Sequence, residues 1–189
     1  MEISAVFSGI FTLVLIYFGV SFAFRVLSAI MIHEIGHLAM LLLFGEAPRK
    51  ITIGAFGVRI ERRYEEALGS AREIAVYAAG PAANLIAALL WAVLAKDTKA
   101  ALINVVLALY NLIPVGEFDG RNILKKLTEI KRWNFNAEKT GERISMTLLI
   151  LLTLCGAAVL FVYKNPTLLI SAGYMTFREV KNIKLRARS

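Results

Sequence analysis

The sequence predicts an all-α, polytopic membrane protein with about six transmembrane helices and one small β-hairpin. Of its 189 residues, 58% are hydrophobic, and the mean hydropathy is +0.64. Both values lie well above those of ordinary soluble domains. Apolar segments recur along the chain, and the longer ones, at about 20–44, 74–95 and 144–163, have the roughly 20 residues that cross a bilayer core of about 30 Å. The six segments lie at about 3–18, 20–44, 74–95, 100–114, 144–163 and 166–177, the last being short for a span.

The basic residues predict the orientation of these segments. Eighteen of the 22 Lys and Arg residues lie in residues 45–73, in residues 121–143 and in the tail after residue 177. The other four are Arg25, Lys96, Lys99 and Lys164. Because positive loops stay on the cytoplasmic side, both termini are expected there, with an even number of spans. The positive-inside rule thereby accounts for the net charge of +8, and no nucleic-acid partner is expected.

The hairpin is predicted directly after the second apolar segment. Residues 50–62 alternate between apolar and polar side chains, as a strand does, and Gly54 and Gly57 permit a turn between two short strands. Two interpretations stay open. The segment is either an ordinary cytoplasmic hairpin or an edge that pairs with an extended substrate, in which case Ile53 and Val58 are the substrate-binding residues.

One motif in the second apolar segment points to metal chemistry. His33-Glu34-Ile35-Gly36-His37 places two imidazoles four residues apart, on one face of a helix. This H-E-x-x-H spacing binds zinc through the histidines and uses the glutamate as general base. The alternative is a pair of buried core histidines. Ionisable groups at membrane depth are costly and are functional by default, which favours a Zn²⁺ site with Glu34 as the catalytic base.

A catalytic zinc needs a third protein ligand, and the sequence offers two acids for it. Glu117 and Asp119 follow Pro114 and Gly116, which break the fourth apolar segment. Periodicity does not choose between the two. The single cysteine, Cys155, excludes both a disulfide framework and a cysteine-rich zinc finger.

Three motifs together resemble the site-2 protease family of intramembrane zinc metalloproteases. They are His33-Glu34-x-x-His37, Gly80-Pro81-x-x-Asn84, and Asn111-x-x-Pro114 leading to Asp119-Gly120. The resemblance implies that Asp119 is the third zinc ligand and that Asn111 helps to position the substrate. It also implies one membrane-embedded domain over residues 1–189, with a zinc core at about 20–124. Gly80-Pro81 and Asn84 are expected to shape the adjacent helix, chiefly by close packing.

The chain departs from the family's common form in the loop before the third ligand. Gly116 and Phe118 replace the usual Pro and Leu, and Arg121 stands where a second Gly is common. These changes put the loop's shape in question rather than the ligand set.

Within that family, the compact six-span plan and the absence of an inserted PDZ-like domain resemble the stage IV sporulation protein FB group. Typical members of that group end in a cytoplasmic CBS domain, which is not expected in these 189 residues. This resemblance implies a multi-pass protease of a bacterial membrane that cleaves a membrane-associated sigma-factor precursor and is held inactive by partner membrane proteins. One alternative is cleavage of an anti-sigma factor in stress signalling. Others are a non-hydrolytic membrane metal transporter or sensor and a catalytically inactive scaffold. Glu34 in the position of the base argues against these last two.

Overall fold

The computed structural model describes residues 2–3, 19–46, 48–54, 57–62, 68–116, 118–130, 137–164 and 166–186. Almost all of the predicted first span, at about 3–18, lies outside the described residues, and so does Glu117. Six helices are described: α1 (Val20–Leu43), α2 (Ser70–Val93), α3 (Thr98–Leu112), α4 (Asp119–Ile130), α5 (Ala137–Tyr163) and α6 (Thr167–Arg186). Three strands accompany them: β1 (Glu2–Ile3), β2 (Pro48–Gly54) and β3 (Gly57–Arg62).

Three helices in the described part of the chain are long and apolar enough to cross a membrane. They are α1, α2 and the Gly141–Val162 part of α5. Helix α3 is apolar but has only 15 residues. The fold is thus mostly helical and suited to a membrane, whereas the count of six spans stays a prediction.

The chain divides into two compact units, Met1–Leu112 and Ile113–Ser189. In the first unit, α1, α2 and α3 pack on one another. Small residues bring α1 and α2 together: a Cβ added to Gly36 would lie 2.8 Å from Cβ of Ala83. Membrane helices use small residues in this way, because lipid supplies no hydrophobic force that drives helices together.

An ion pair joins the first turns of α1 to the turn that precedes α3. Nε of Arg25 donates to Oδ2 of Asp97 at 2.8 Å. The other oxygen of Asp97 accepts a hydrogen bond from the backbone N–H of Ala100 at 3.0 Å, which caps α3. The Ala100 N–H first, and then Arg25, hold the pKa of Asp97 below its usual value. The start of α1 and the α2–α3 turn therefore lie at one end of this unit.

The sheet has the order β1-β2-β3, with β2 in the centre. Strands β2 and β3 pair antiparallel, with Ile53 opposite Val58 and Gly54 opposite Gly57. Strand β1 pairs parallel with the other side of β2, where Ile3 lies opposite Ile53. The interpretation of Ile53 as part of an edge is therefore corrected, because β2 has a partner on both sides. Of the two predicted substrate-binding residues, only Val58 lies on an edge strand of the described sheet, β3.

The second unit contains α4, α5 and α6. Helices α5 and α6 approach closely at Gly156, where an added Cβ would lie 2.8 Å from Cα of Leu169. Arg121 of α4 donates to Glu179 of α6 at 2.5 Å, and both side chains are largely buried. Removing one partner of a buried ion pair costs about 3–5 kcal/mol, so this pair ties α4 to α6.

Candidate metal centre

His33 and His37 project from one face of α1 and bring their Nε2 atoms together. The two atoms lie 3.1 Å apart, and the rings meet edge to face with centroids 4.7 Å apart. His33 is only 6% exposed. The four-residue spacing in the sequence is therefore realised as a convergent pair of ring nitrogens in the interior of the first unit.

The partner of His37 fixes where its ring carries a proton. Nδ1 of His37 lies 2.8 Å from the backbone carbonyl oxygen of Val76 in α2. A carbonyl oxygen only accepts hydrogen bonds, so Nδ1 of His37 is the donor. In the neutral ring, Nε2 is then the nitrogen that carries a lone pair.

The same reasoning applies to His33, whose partner is an amide side chain. Nδ1 of His33 lies 2.7 Å from Oδ1 of Asn84 in α2. The amide nitrogen of Asn84 donates to the carbonyl oxygen of Ala29 at 2.9 Å, which decides which end of the amide is oxygen. His33 therefore also donates from Nδ1 and directs an Nε2 lone pair toward His37.

This arrangement fits a zinc ion. Two neutral rings that turn lone pairs toward each other at 3.1 Å repel unless a cation lies against both. Zinc binds imidazole nitrogen at about 2.0–2.1 Å, a length at which two nitrogens at this separation can share one ion. Hydrogen-bonded Nδ1 groups that orient the rings are the usual outer shell of such a site.

Gly80 lies directly against the histidine rings. A Cβ added there would lie 2.9 Å from Cε1 of His33, closer than real Cβ contacts allow. Gly80 and its neighbour Pro81 are both buried. Close packing is the role that the sequence predicted for this motif, and the contact with the rings agrees with it. Asn84, by contrast, does more than pack, because it holds His33 through a hydrogen bond.

Two further predicted residues lie in the first unit. Glu34 follows His33 on α1 and is half-buried. Asn111 is in the last turn of α3, where its Nδ2 donates to the carbonyl oxygen of Leu107 at 3.0 Å. The catalytic role of Glu34 and the substrate-binding role of Asn111 stay predictions.

Asp119 is the first residue of α4 in the second unit, and it is 9% exposed. The loop before it turns at Gly116, whose φ of 58° lies in the left-handed region. Proline is confined to φ near −65°, so the Pro common in the family at this place is incompatible with this backbone. The Gly116 N–H donates to Oγ of Ser145 at 3.3 Å. Gly116 thus stands in a left-handed turn that the usual proline could not adopt.

The comparisons with known proteins point in one direction. The sequence profile of peptidase family M50 matches residues 97–154, a stretch that contains Asn111 and Asp119. A comparison with curated proteins returns no match. Among solved structures, the chain is similar to the site-2 protease from Methanocaldococcus jannaschii, with a TM-score of 0.68 and 19% identity. The similarity covers 93% of this chain and 85% of that one. The fold is that of a site-2 protease.

Proposed function

We propose that this protein is an intramembrane zinc metalloprotease that hydrolyses peptide bonds of membrane-associated proteins. The convergence of the His33 and His37 Nε2 atoms at 3.1 Å carries the proposal. The match to peptidase family M50 and the site-2 protease fold support it. Apolar helices long enough to cross a membrane support the location.

The proposed ligand set is His33, His37 and Asp119. Each residue offers one atom that zinc accepts, two imidazole nitrogens and one carboxylate oxygen. Three protein ligands leave one coordination position for water or substrate, as in catalytic rather than structural zinc sites. The ion, when bound, lowers the pKa of its water and polarises the scissile carbonyl group.

The other residues handle the proton and the substrate. Glu34 takes a proton from the attacking water and passes it to the leaving amine. A transmembrane helix pairs its backbone groups internally, so a substrate must unwind before one of its carbonyl groups can react. The outer edge of β3 can then hold the unwound segment through backbone hydrogen bonds, and Asn111 assists in its positioning.

A comparison of zinc content and cleavage tests this function. The purified protein is expected to hold about one zinc per chain, since there is one three-ligand set, and to cleave a membrane-protein substrate. Glu34→Gln should keep the zinc and lose cleavage. Glu129→Gln, the same chemical change on the exposed part of α4, is the matched control and should retain both. Zinc binding without hydrolysis in every protein, wild type included, would favour a metal transporter or sensor.

The substrate and the setting are a finer part of the proposal. The resemblance to the stage IV sporulation protein FB group supports a sigma-factor precursor as substrate and inhibitory membrane proteins as partners. The distribution of basic residues supports a bacterial membrane with both termini cytoplasmic. Co-expression with candidate precursors, in a host without its own intramembrane proteases, should give cleavage that needs Glu34. Processing of an anti-sigma factor alone would instead favour the stress-signalling alternative.

A further inference from the structure

A second buried amide lies behind the Asn84–His33 hydrogen bond. Asn104 of α3 is fully buried, and its Oδ1 accepts a hydrogen bond from Nδ2 of Asn84 at 2.9 Å. Its own Nδ2 donates to the carbonyl oxygen of Ala100 at 2.9 Å. Hydrogen bonds therefore run from α3 through α2 to the imidazole of His33 in α1. The proposed reaction assigns no role to Asn104.

The hydrogen bond between Asn104 and Ala100 determines which group donates in each of the other hydrogen bonds. The Ala100 carbonyl only accepts, so Asn104 must turn its nitrogen toward Ala100 and its oxygen toward Asn84. Asn84 then donates both of its amide hydrogens, one to Asn104 and one to the carbonyl oxygen of Ala29. Only its oxygen is left to face His33. Reversing the Asn84 amide would set its oxygen against two other oxygens.

We propose that Asn104 is a positioning residue that, through Asn84, keeps the proton of neutral His33 on Nδ1 and so leaves Nε2 able to bind metal. The inference rests on the proposed zinc site. It concerns the metal-free ring, however, and can therefore be tested apart from catalysis. Asn104 is a buried polar side chain in an apolar helix, where such groups are retained only with partners. Its place is explained if it fixes the tautomer of a metal ligand.

The tautomer of each ring can be measured without overlap from other histidines, because His33 and His37 are the only two in the sequence. With ¹⁵N-labelled histidine, the nitrogen shifts of the metal-free protein at a pH where both rings are neutral report the tautomer of each ring. In the metal-free wild type, the hydrogen bonds from Nδ1 to Asn84 and to Val76 should keep the proton on Nδ1 of both rings, with the repulsion between the Nε2 atoms relieved by water or by a small separation of the rings. In Asn104→Leu, the Nδ1-protonated fraction of His33 should fall. His37 should not change, because its partner is the Val76 carbonyl, and it serves as an internal control.

A conservative variant separates positioning from packing. In Asn104→Asp, a buried and neutral carboxylic acid can donate to Ala100 and accept from Asn84, so it should restore the wild-type tautomer of His33. Zinc affinity should fall about 10-fold in Asn104→Leu, the lower end for outer-shell partners, and recover in Asn104→Asp. Ser28→Ala removes a hydroxyl that donates to the Arg25 carbonyl on its own helix, and it should leave both the His33 tautomer and the zinc affinity unchanged.

Three results would overturn the inference. The first is a wild-type His33 that carries its proton on Nε2. The second is a His33 tautomer that is unchanged in Asn104→Leu, whatever happens to zinc affinity. The third is an equal change in both rings, which would mean general disruption of the helix packing. If Asn104→Leu does not fold, Asn104→Ala allows the same comparison with a smaller side chain. None of these readings depends on proteolysis, so they stand even if the proposed function fails.

Discussion

Gly80 faces the imidazole of His37 with no room for a methyl group between them. A Cβ added to Gly80 would lie 2.6 Å from Cε1 of His37, and the adjacent ring nitrogen, Nδ1, is held by the Val76 carbonyl one turn earlier on α2. Because the ring cannot retreat without losing that hydrogen bond, a larger residue at position 80 must displace it. The absence of a side chain at Gly80 on α2 is thus part of how the two imidazoles are placed on α1.

Gly80→Ala is therefore expected to weaken zinc binding by at least about 10-fold, the scale of losing an outer-shell contact. Competition with a chelator, measured on the purified protein, gives the affinity. Gly173→Ala is the matched control, because a Cβ there meets nothing within 4 Å. Wild-type affinity in Gly80→Ala would show that the rings can shift without cost.

The sequence predicted most of the helix that carries the two histidines, but not the hydrogen-bond acceptors that orient their rings. The apolar segment at about 20–44 corresponds to α1 (Val20–Leu43), and the four-residue spacing correctly placed both imidazoles on one face. The acceptors that orient the rings were beyond prediction from spacing. One is the backbone carbonyl of Val76, which no residue type signals, and its position depends on how α2 packs against α1.

Two other differences have equally physical reasons. Helix α2 begins at Ser70, before the predicted 74. The prediction followed the apolar run alone, whereas the helix also includes polar residues before that run, such as Glu73. The alternation of residues 50–62 does not reveal that β1 covers one side of β2, since that pairing joins distant parts of the chain. Asn104 was missed for the same reason: its partner lies 20 residues away.

The identity of the third ligand is open to a direct test. Asp119→Asn replaces a charged ligand by a neutral amide, so zinc binding should fall by more than the roughly 10–100-fold of an outer-shell change, and cleavage should stop. Glu117→Gln makes the same change two residues earlier and should leave the zinc in place. Metal content by atomic absorption distinguishes them. Release of zinc by Glu117→Gln, but not by Asp119→Asn, would reverse the assignment.

The hairpin's edge can be tested with a pair of variants at Val58. A proline removes the backbone N–H, and a substrate strand that loses one hydrogen bond of about 0.5–1.5 kcal/mol should be cleaved roughly two- to tenfold more slowly. Val58→Ala keeps the N–H and should cleave normally. Zinc content should not change in either. Ile53→Pro should also impair cleavage, but by disturbing the central strand. Unchanged cleavage in Val58→Pro would favour an ordinary hairpin.

The ion pair between Arg25 and Asp97 sharpens the prediction of membrane orientation. It places the first turns of α1 at the same end of the first unit as the α2–α3 turn and the start of α3, and these carry three of the four basic residues outside the basic segments. We expect that end to be extracytoplasmic, because most Lys and Arg residues lie elsewhere.

A reporter fused near Lys99 should therefore be exported, whereas fusions after Phe44, after Arg132 and at Ser189 should remain cytoplasmic. Each fusion is read with one reporter active only in the cytoplasm and one active only outside, so that low expression is not mistaken for export. A cytoplasmic result at Lys99 together with one after Phe44 would contradict the orientation, since α2 would then return to the side on which it began.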